Sequence, residues 1–186
     1  MSYNFAKRKT PRCPKRIIVI AAEGTSTEPE YFTLLNSMSE TTAFFIVPNL
    51  GGGSDPGHVL TRMEKYLREN PLNKNDEAWI VIDRDKWTDK QLASIENWAK
   101  NNRNCHYAIS IRKFEDFLKL HVSTIDANGK YREFLCGGNK HVPDDFVNKN
   151  RVRVAIDKAE KFQKTPKSVG NVFEILSSFF KSEGKL

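Results

Sequence analysis

The sequence contains little cysteine: three residues in 186, with no Cys-x-x-Cys pair. Because Cys13, Cys105 and Cys136 are odd in number and widely spaced, a disulfide framework is disfavoured and a reducing compartment is favoured. The four histidines are scattered as well. A structural zinc site would need ligands from several separate regions, which disfavours a zinc module.

Long apolar runs are also missing. No stretch reaches the length of a membrane-spanning helix, and the first residues lack the apolar segment of a secretory signal. We therefore expect a soluble, cytoplasmic protein.

Acidic residues are absent from Met1 to Arg16, which contains six basic ones. Since the formal net charge of the whole chain is +7, this segment supplies all but one of the net charges. We expect residues 1–16 to form a flexible arm ahead of a single domain that spans residues 17–186. Such an arm is suited to contact phosphates without sequence preference, and equally to act as a solubilising leader.

Continuous apolar runs alternate with amphipathic segments in the first part of the chain. The runs Ile17 to Ala22 and Ala78 to Ile82 are typical of strands buried on both faces of a parallel sheet. Shorter strands are predicted at Phe44 to Val47 and Tyr107 to Ile109, with helices between the strands. This order predicts an α/β fold with a central, mainly parallel sheet flanked by helices, of the Toprim or Rossmann type.

The part of the chain beyond the fourth strand is predicted to be mainly helical. We expect a helix at Phe114 to His121 and two C-terminal helices, at about Lys149 to Phe162 and Val169 to Phe180, that pack back on the domain. The segment Thr124 to Asn150 has no clear periodicity. It is interpreted as an insertion or a lid.

Two local patterns mark the starts of the first two helices. Thr27 and Glu30 have the spacing of a capping box with Pro29 in the first turn, so the first helix is expected to begin there. The loop with Gly51 to Gly53 precedes the second helix. It lacks the Gly-Lys-Ser/Thr ending of a nucleotide-binding P-loop and is interpreted as a flexible connection.

Carboxylates follow directly on two of the predicted buried strands. Glu23 comes after the first, and Asp83 and Asp85 come after the run that ends at Ile82. Because the carboxyl ends of parallel strands meet at one sheet edge, where ligands bind, we expect these side chains to converge. Carboxylate oxygens are the ligands that Mg²⁺ prefers. The sequence therefore predicts a divalent-metal site, with an acidic surface loop as the alternative.

Three groups of residues resemble the RloB family of bacterial defence-associated proteins, whose domain is similar to the Toprim domain of topoisomerases and primases. The groups are Glu23-Gly24-x-x-Thr27-Glu28-Pro29-x-Tyr31-Phe32, then Ile82-Asp83-Arg84-Asp85, then Ala108-Ile109-Ser110 with Phe114-Glu115 and Leu120-His121. They follow the order of the family. The sequence departs from the family pattern at Ile111-Arg112-Lys113, where Asn-Pro and a small residue are usual, and at Phe117, where tryptophan is usual.

The resemblance implies a metal-dependent nuclease of phage-defence or restriction systems, sometimes encoded with an ATPase partner. In this interpretation Glu23, Asp83 and Asp85 bind Mg²⁺ or Mn²⁺ at a phosphodiester, and Glu23 also suits the role of general base. The substrate is a nucleic acid, with DNA, RNA and tRNA left open.

Three further residues are candidates for a part in the chemistry. Glu115 and Glu28 are suited to support the metal ligands or to bind a second ion, although Glu28 also suits the first turn of a helix, where it favours the dipole. His121 could orient a carboxylate or protonate a leaving oxygen. A lone histidine in this position is more often a hydrogen-bonded core residue.

Two other enzyme classes use an Asp-x-Asp pattern. A nucleotide-sugar glycosyltransferase would bind metal diphosphate through Asp83 and Asp85, but it leaves the block from Glu23 unexplained. Haloacid-dehalogenase phosphatases usually have a threonine where Trp87 stands. A non-catalytic module that holds nucleic acid or a partner through its basic arm is the remaining alternative.

Overall fold

The computed structural model describes residues 15–51, 53–84, 87–165 and 167–181. Within them, four strands form one all-parallel sheet with the order β2-β1-β3-β4. The strands are β1 (Arg16–Ala22), β2 (Thr42–Ile46), β3 (Glu77–Asp83) and β4 (Cys105–Ser110). The predicted α/β fold with a parallel central sheet is confirmed.

Eight α-helices flank the sheet in the described part of the chain. The helices between strands are α1 (Thr27–Leu35), α2 (Pro56–Glu69) and α3 (Asp89–Asn101). The helices after β4 are α4 (Phe114–Leu118), α5 (Thr124–Asn128), α6 (Arg132–Leu135), α7 (Lys149–Phe162) and α8 (Phe173–Lys181). Short 3-10 turns follow α1 and α4, at Asn36–Met38 and Lys119–His121. None of the described helices has the length and apolar character needed to cross a membrane.

The sheet separates two hydrophobic cores because successive side chains of a strand point to opposite faces. On one face, Ile18 and Ile20 pack with α1 and the helices that follow β4. On the other face, Val19 and Ile80 pack with α2 and α3. This two-sided burial explains the continuous apolar runs of β1 and β3. The C-terminal helices α7 and α8 are part of the first core, as predicted.

The capping box expected at Thr27 and Glu30 is wrong. The first helix does begin at Thr27, but Ser26 precedes it as the N-cap and makes no side-chain capping bond within the described residues. The Glu30 carboxylate instead accepts hydrogen bonds from His141 Nδ1 at 2.8 Å and from the Val142 amide at 2.9 Å. Glu30 therefore ties α1 to the segment from 124 to 150, which contains α5 and α6, rather than capping its own helix.

Two residues at the end of the predicted arm contact the folded domain. Arg16 is the first residue of β1, and its guanidinium pairs with Glu77 at 2.5 Å and donates to the Ser178 carbonyl at 2.9 Å. Lys15 Nζ donates to the Ser39 carbonyl at 3.1 Å. Arg16 therefore belongs to the folded domain. The other residues of the predicted arm, 1–14, lie outside the described residues.

The residues before α8 cover the outer edge of β4. The Asn171 side chain accepts from the Ile109 amide at 2.7 Å and donates to the Tyr107 carbonyl at 3.1 Å. Gly170, with φ of +95°, forms an antiparallel bridge with Ser110. These bonds satisfy backbone groups that a parallel edge strand would otherwise expose.

Gly170→Ala is expected to destabilise the protein by at least about 2 kcal/mol. A Cβ atom at this position would lie 1.8 Å from the Ile109 carbonyl oxygen, and the positive φ adds backbone strain. Gly137→Ala is the matched control, because its φ is +80° but nothing lies within 4 Å of the added Cβ. We expect about 1–2 kcal/mol there. Urea unfolding measures both losses, and equal losses would contradict the close approach at Gly170.

Candidate functional site

Two of the predicted metal ligands lie side by side at the carboxyl edge of the sheet. Glu23 follows β1, and Asp83 is the last residue of β3, the strand paired in parallel with β1. The Asp83 amide donates to Glu23 Oε2 at 3.3 Å, and the Glu23 amide donates to the Val81 carbonyl at 3.0 Å. The strand pairing therefore brings both carboxylates to one place.

Trp87 also holds the Glu23 side chain. Its indole Nε1 donates to Glu23 Oε2 at 3.1 Å, the same oxygen that accepts from the Asp83 amide. In the sequence, Trp87 stands where haloacid-dehalogenase phosphatases usually have a threonine, and nothing there indicated a contact with Glu23. No local pattern predicts the contact, because the two residues are 64 positions apart in the chain.

Asp83 ends β3 directly opposite Ser110, its register partner at the end of β4. Burial raises the pKa of Asp83 to about 7, against the opposing effects of the Ser110 hydroxyl and the Phe114 amide, while the charges of Glu23 and Glu115 raise it further. Ser110 is fully buried, and its Oγ makes no hydrogen bond of ordinary geometry to the described residues. It is nevertheless near enough to Asp83 to lower the pKa of that carboxyl.

Glu28 belongs to the same cluster, although the sequence favoured a role in the helix dipole. Its side chain is 8% exposed, and burial raises its pKa to about 7, with the charges of Asp83, Glu115 and Glu23 adding to the effect. Gly24 makes room for it, because a Cβ atom there would lie 2.0 Å from Glu28 Oε2. In the sequence, a glycine four residues before Glu28 is the feature that could have indicated this packing of Glu28 against Gly24.

Glu115 completes a group of four carboxylates. It is half-buried in the first turn of α4, directly after the loop that leaves β4. Its charge raises the pKa of both Asp83 and Glu28. Glu115 therefore lies near the carboxylates of the sheet edge.

His121 lies in the aromatic core. Its Nε2 is 2.8 Å from the Tyr31 hydroxyl, and its Nδ1 is 3.2 Å from the Leu118 carbonyl. Burial lowers the pKa of His121 to about 3, helped by the charges of Lys158 and Arg151, so the ring is neutral near pH 7. The structure places its hydrogen bonds within the core, as the interpretation from sequence favoured, and does not link it to the four carboxylates.

The donor set of this edge suits a divalent cation. Asp85 lies outside the described residues, so its place beside Asp83 stays a prediction. Within the described residues, no three Asp, Glu, His or Cys side chains are arranged to hold a metal ion. Even so, the four carboxylates and the buried Ser110 hydroxyl offer only oxygen donors. Burial raises the pKa values of Asp83 and Glu28 to about 7, and repulsion from the neighbouring carboxylates adds to both shifts. A cation would relieve that repulsion.

A concavity lies at the amino-terminal edge of the sheet, opposite the edge with the carboxylates. It has a volume of about 990 Å³ and is lined by the first residues of three strands, Arg16, Thr42 and Glu77. It is remote from the carboxylates because parallel strands put their two ends at opposite edges. We therefore do not assign the chemistry to it.

Comparison with known proteins gives one family. The model of the family of RloB-like proteins matches residues 18–179, which is most of the chain. No curated protein and no solved structure matches the chain. The matched range contains Glu23, Glu28, Asp83 and Glu115 and continues into α8, so it covers the C-terminal helices that pack in the first core.

Without metal, the protein is expected to lose stability as the pH rises from about 4 to about 7. The raised pKa values of Asp83 and Glu28 mean that the folded state keeps protons that the unfolded state has already released. Glu28→Gln should remove part of this loss and should be more stable than the parent by on the order of 2 kcal/mol at pH 8, with little difference at pH 4.

Urea unfolding in EDTA at pH 4, 6 and 8 measures this effect. Glu69→Gln is the control, because Glu69 is exposed in the last turn of α2 and should leave the pH dependence unchanged. A Glu28→Gln variant with the pH dependence of the parent would show that Glu28 titrates normally.

Proposed function

Since the chain belongs to the RloB-like family and gathers four carboxylates at one sheet edge, we propose that it is a metal-dependent nuclease. The observation that carries the proposal is the contact between Glu23 and Asp83 at the ends of two paired strands. The proposed reaction is cleavage of a phosphodiester bond in a nucleic acid, by a domain of the Toprim type. DNA, RNA and tRNA are all candidate substrates.

In this proposal Glu23 and Asp83, together with Asp85, hold Mg²⁺ or Mn²⁺. When bound, the ion offsets the charge that develops on the scissile phosphate and lowers the pKa of a coordinated water. The Asp83 amide and the Trp87 indole fix the orientation of the Glu23 carboxylate. A fixed carboxylate is what a metal ligand or a general base requires. Glu28 and Glu115 supply the surrounding negative charge that favours a cation.

The cellular setting of the proposal rests on the family resemblance. It comprises phage defence or restriction as the process, an ATPase as a partner protein, and the cytoplasm as the compartment. The basic residues at the start of the chain are proposed to contact nucleic-acid phosphates. Because Arg16 is part of β1, that role is assigned to residues 1–14 alone.

The glycosyltransferase alternative is less well supported by the site. It uses the Asp-x-Asp pattern alone and assigns nothing to Glu23 or Glu28. In the structure Glu23 accepts a hydrogen bond from the Asp83 amide, and Glu28 is buried against Gly24 within the same group of charges. A nuclease that uses the early glutamate together with the later aspartates accounts for these contacts.

Asp83→Asn is expected to lower metal-dependent cleavage by at least about 100-fold, because the substitution removes the charge that binds the cation. The assay offers labelled single-stranded DNA, duplex DNA and RNA to the protein with Mg²⁺, with Mn²⁺ or with EDTA. Asp89→Asn is the control, because this aspartate is 87% exposed and pairs with Arg84 at 2.7 Å. A folded Asp83→Asn protein with full activity would disprove the proposed site.

His121→Ala separates chemistry from folding in the same assay. Removing the ring leaves a cavity and an unpaired Tyr31 hydroxyl, so we expect a loss of about 2–4 kcal/mol in stability. Cleavage per folded molecule should be close to that of the parent, since the ring lies in the core. A stable His121→Ala protein without activity would instead assign the histidine to the chemistry.

A further inference from the structure

A small cavity lies beside the four carboxylates, on the β2 side of β1. Its volume is about 140 Å³, and its lining includes Ala22 at the end of β1, Gly24 just beyond it, and Val47 directly after β2. Ala22 directly precedes Glu23, and Gly24 makes room for Glu28, so the cavity and the carboxylate cluster share one stretch of chain. At roughly 30 Å³ for each water molecule, the cavity has room for about five waters, a size suited to one phosphate group rather than a whole nucleotide.

Arg62 brings a positive charge to this cavity and has no acidic partner among the described residues. The side chain comes from α2 and is half-buried, and its Nη2 donates to the Ala22 carbonyl. None of the ion pairs among the described residues involves Arg62, and its Nε is buried with no hydrogen-bond partner there. Burial alone lowers the pKa of its guanidinium. A buried cation is normally paired or bound to a ligand.

Asn49 presents a second unsatisfied group in the same lining. Its Oδ1 is buried and has no hydrogen-bond partner among the described residues. A carboxamide turned by 180° presents its NH₂ in place of its oxygen, so Asn49 can donate to a phosphate oxygen. Arg62 and Asn49 together therefore offer a charged donor and a neutral donor to an anion in the cavity.

We propose that the cavity between Arg62, Asn49 and Gly24 binds a phosphate group of a nucleic-acid strand, adjacent to the phosphodiester at the carboxylates. The inference rests on the proposed function and adds the means by which a polyanion is held beside four carboxylates. Guanidinium groups bind phosphate through two parallel hydrogen bonds, which fixes position as well as charge. Arg62 thereby sets which bond of the strand lies over Glu23 and Asp83.

The test measures binding alone, so that it does not depend on cleavage. A fluorescein-labelled single-stranded oligonucleotide of mixed sequence is titrated with the full chain in EDTA, and anisotropy is followed over a series of NaCl concentrations. Arg62→Gln should weaken binding by about 10-fold or more and reduce the slope of log K against log salt by about 0.7, the value of one phosphate contact on a single strand.

Arg68→Gln is the matched control. Arg68 is exposed in the last turn of the same helix, six residues and about 9 Å further along the axis toward the opposite edge of the sheet. It should keep the affinity and salt slope of the parent. Arg62→Lys retains the charge but cannot form the two parallel hydrogen bonds of a guanidinium, so it should weaken binding less than Arg62→Gln. If the glutamine variant does not fold, Arg62→Lys is compared with the parent and with Arg68→Gln instead.

The binding measurement tests the phosphate site separately from the proposed nuclease activity. Equal binding by the parent and Arg62→Gln, including no binding by either, overturns the inference, as does an equal loss in Arg62→Gln and Arg68→Gln. Weaker binding confined to the Arg62 variants supports it even if no protein in the series cleaves nucleic acid. In that case the phosphate site stands and the proposed chemistry fails.

Discussion

The parallel pairing of β1 with β3 is the contact on which the rest of the structure depends. Both strands are buried on two faces, so their register is fixed by side chains from two separate cores. That register places Ala22 opposite Val81, and the chain then carries Glu23 to within a hydrogen bond of the Asp83 amide. Side chains at strand ends are held more precisely than side chains on loops. The carboxylates therefore meet because the sheet gives them little freedom to separate.

This pairing also explains what the sequence was able to predict. Continuous apolar runs identify doubly buried strands, and the ends of such strands fall at one edge of a parallel sheet. Those two rules are enough to bring Glu23 and Asp83 together without any knowledge of side-chain packing. The C-terminal helix α7 was predicted with the bounds Lys149–Phe162 that the structure has, because its apolar face repeats regularly.

The contacts that the sequence did not reveal join residues far apart in the chain. Glu30 has the spacing of a capping residue, yet its partners are His141 and Val142, more than 100 residues away. The favourable local pattern was overridden by two donors that only the folded chain supplies. Local spacing likewise could not show that an indole from Trp87 would reach Glu23.

His121 belongs to the third group of family residues and lies in the aromatic core. Its hydrogen bond to Tyr31 joins the turn after α4 to α1, the helix whose first turn contains Glu28. The first and third groups of family residues are therefore connected through the core. The hydrogen bond helps to keep α1 and the turn after α4 in place, and burial lowers the pKa of His121 to about 3, so the ring is neutral near pH 7.

Positive and negative charges are concentrated in different parts of the chain. Six of the seven net positive charges lie in the first sixteen residues, so the remainder of the chain is almost neutral. At the sheet edge, burial raises the pKa values of Asp83 and Glu28, and the charges of Glu23 and Glu115 add to both shifts, so a nucleic-acid strand would meet repulsion there. In the proposed function, a divalent cation would offset this charge. In the proposed phosphate site beside it, the half-buried Arg62 is the positive group that would hold the next phosphate of the strand. On this arrangement, attraction for the backbone and affinity for the metal come from different residues, so each can be removed without the other.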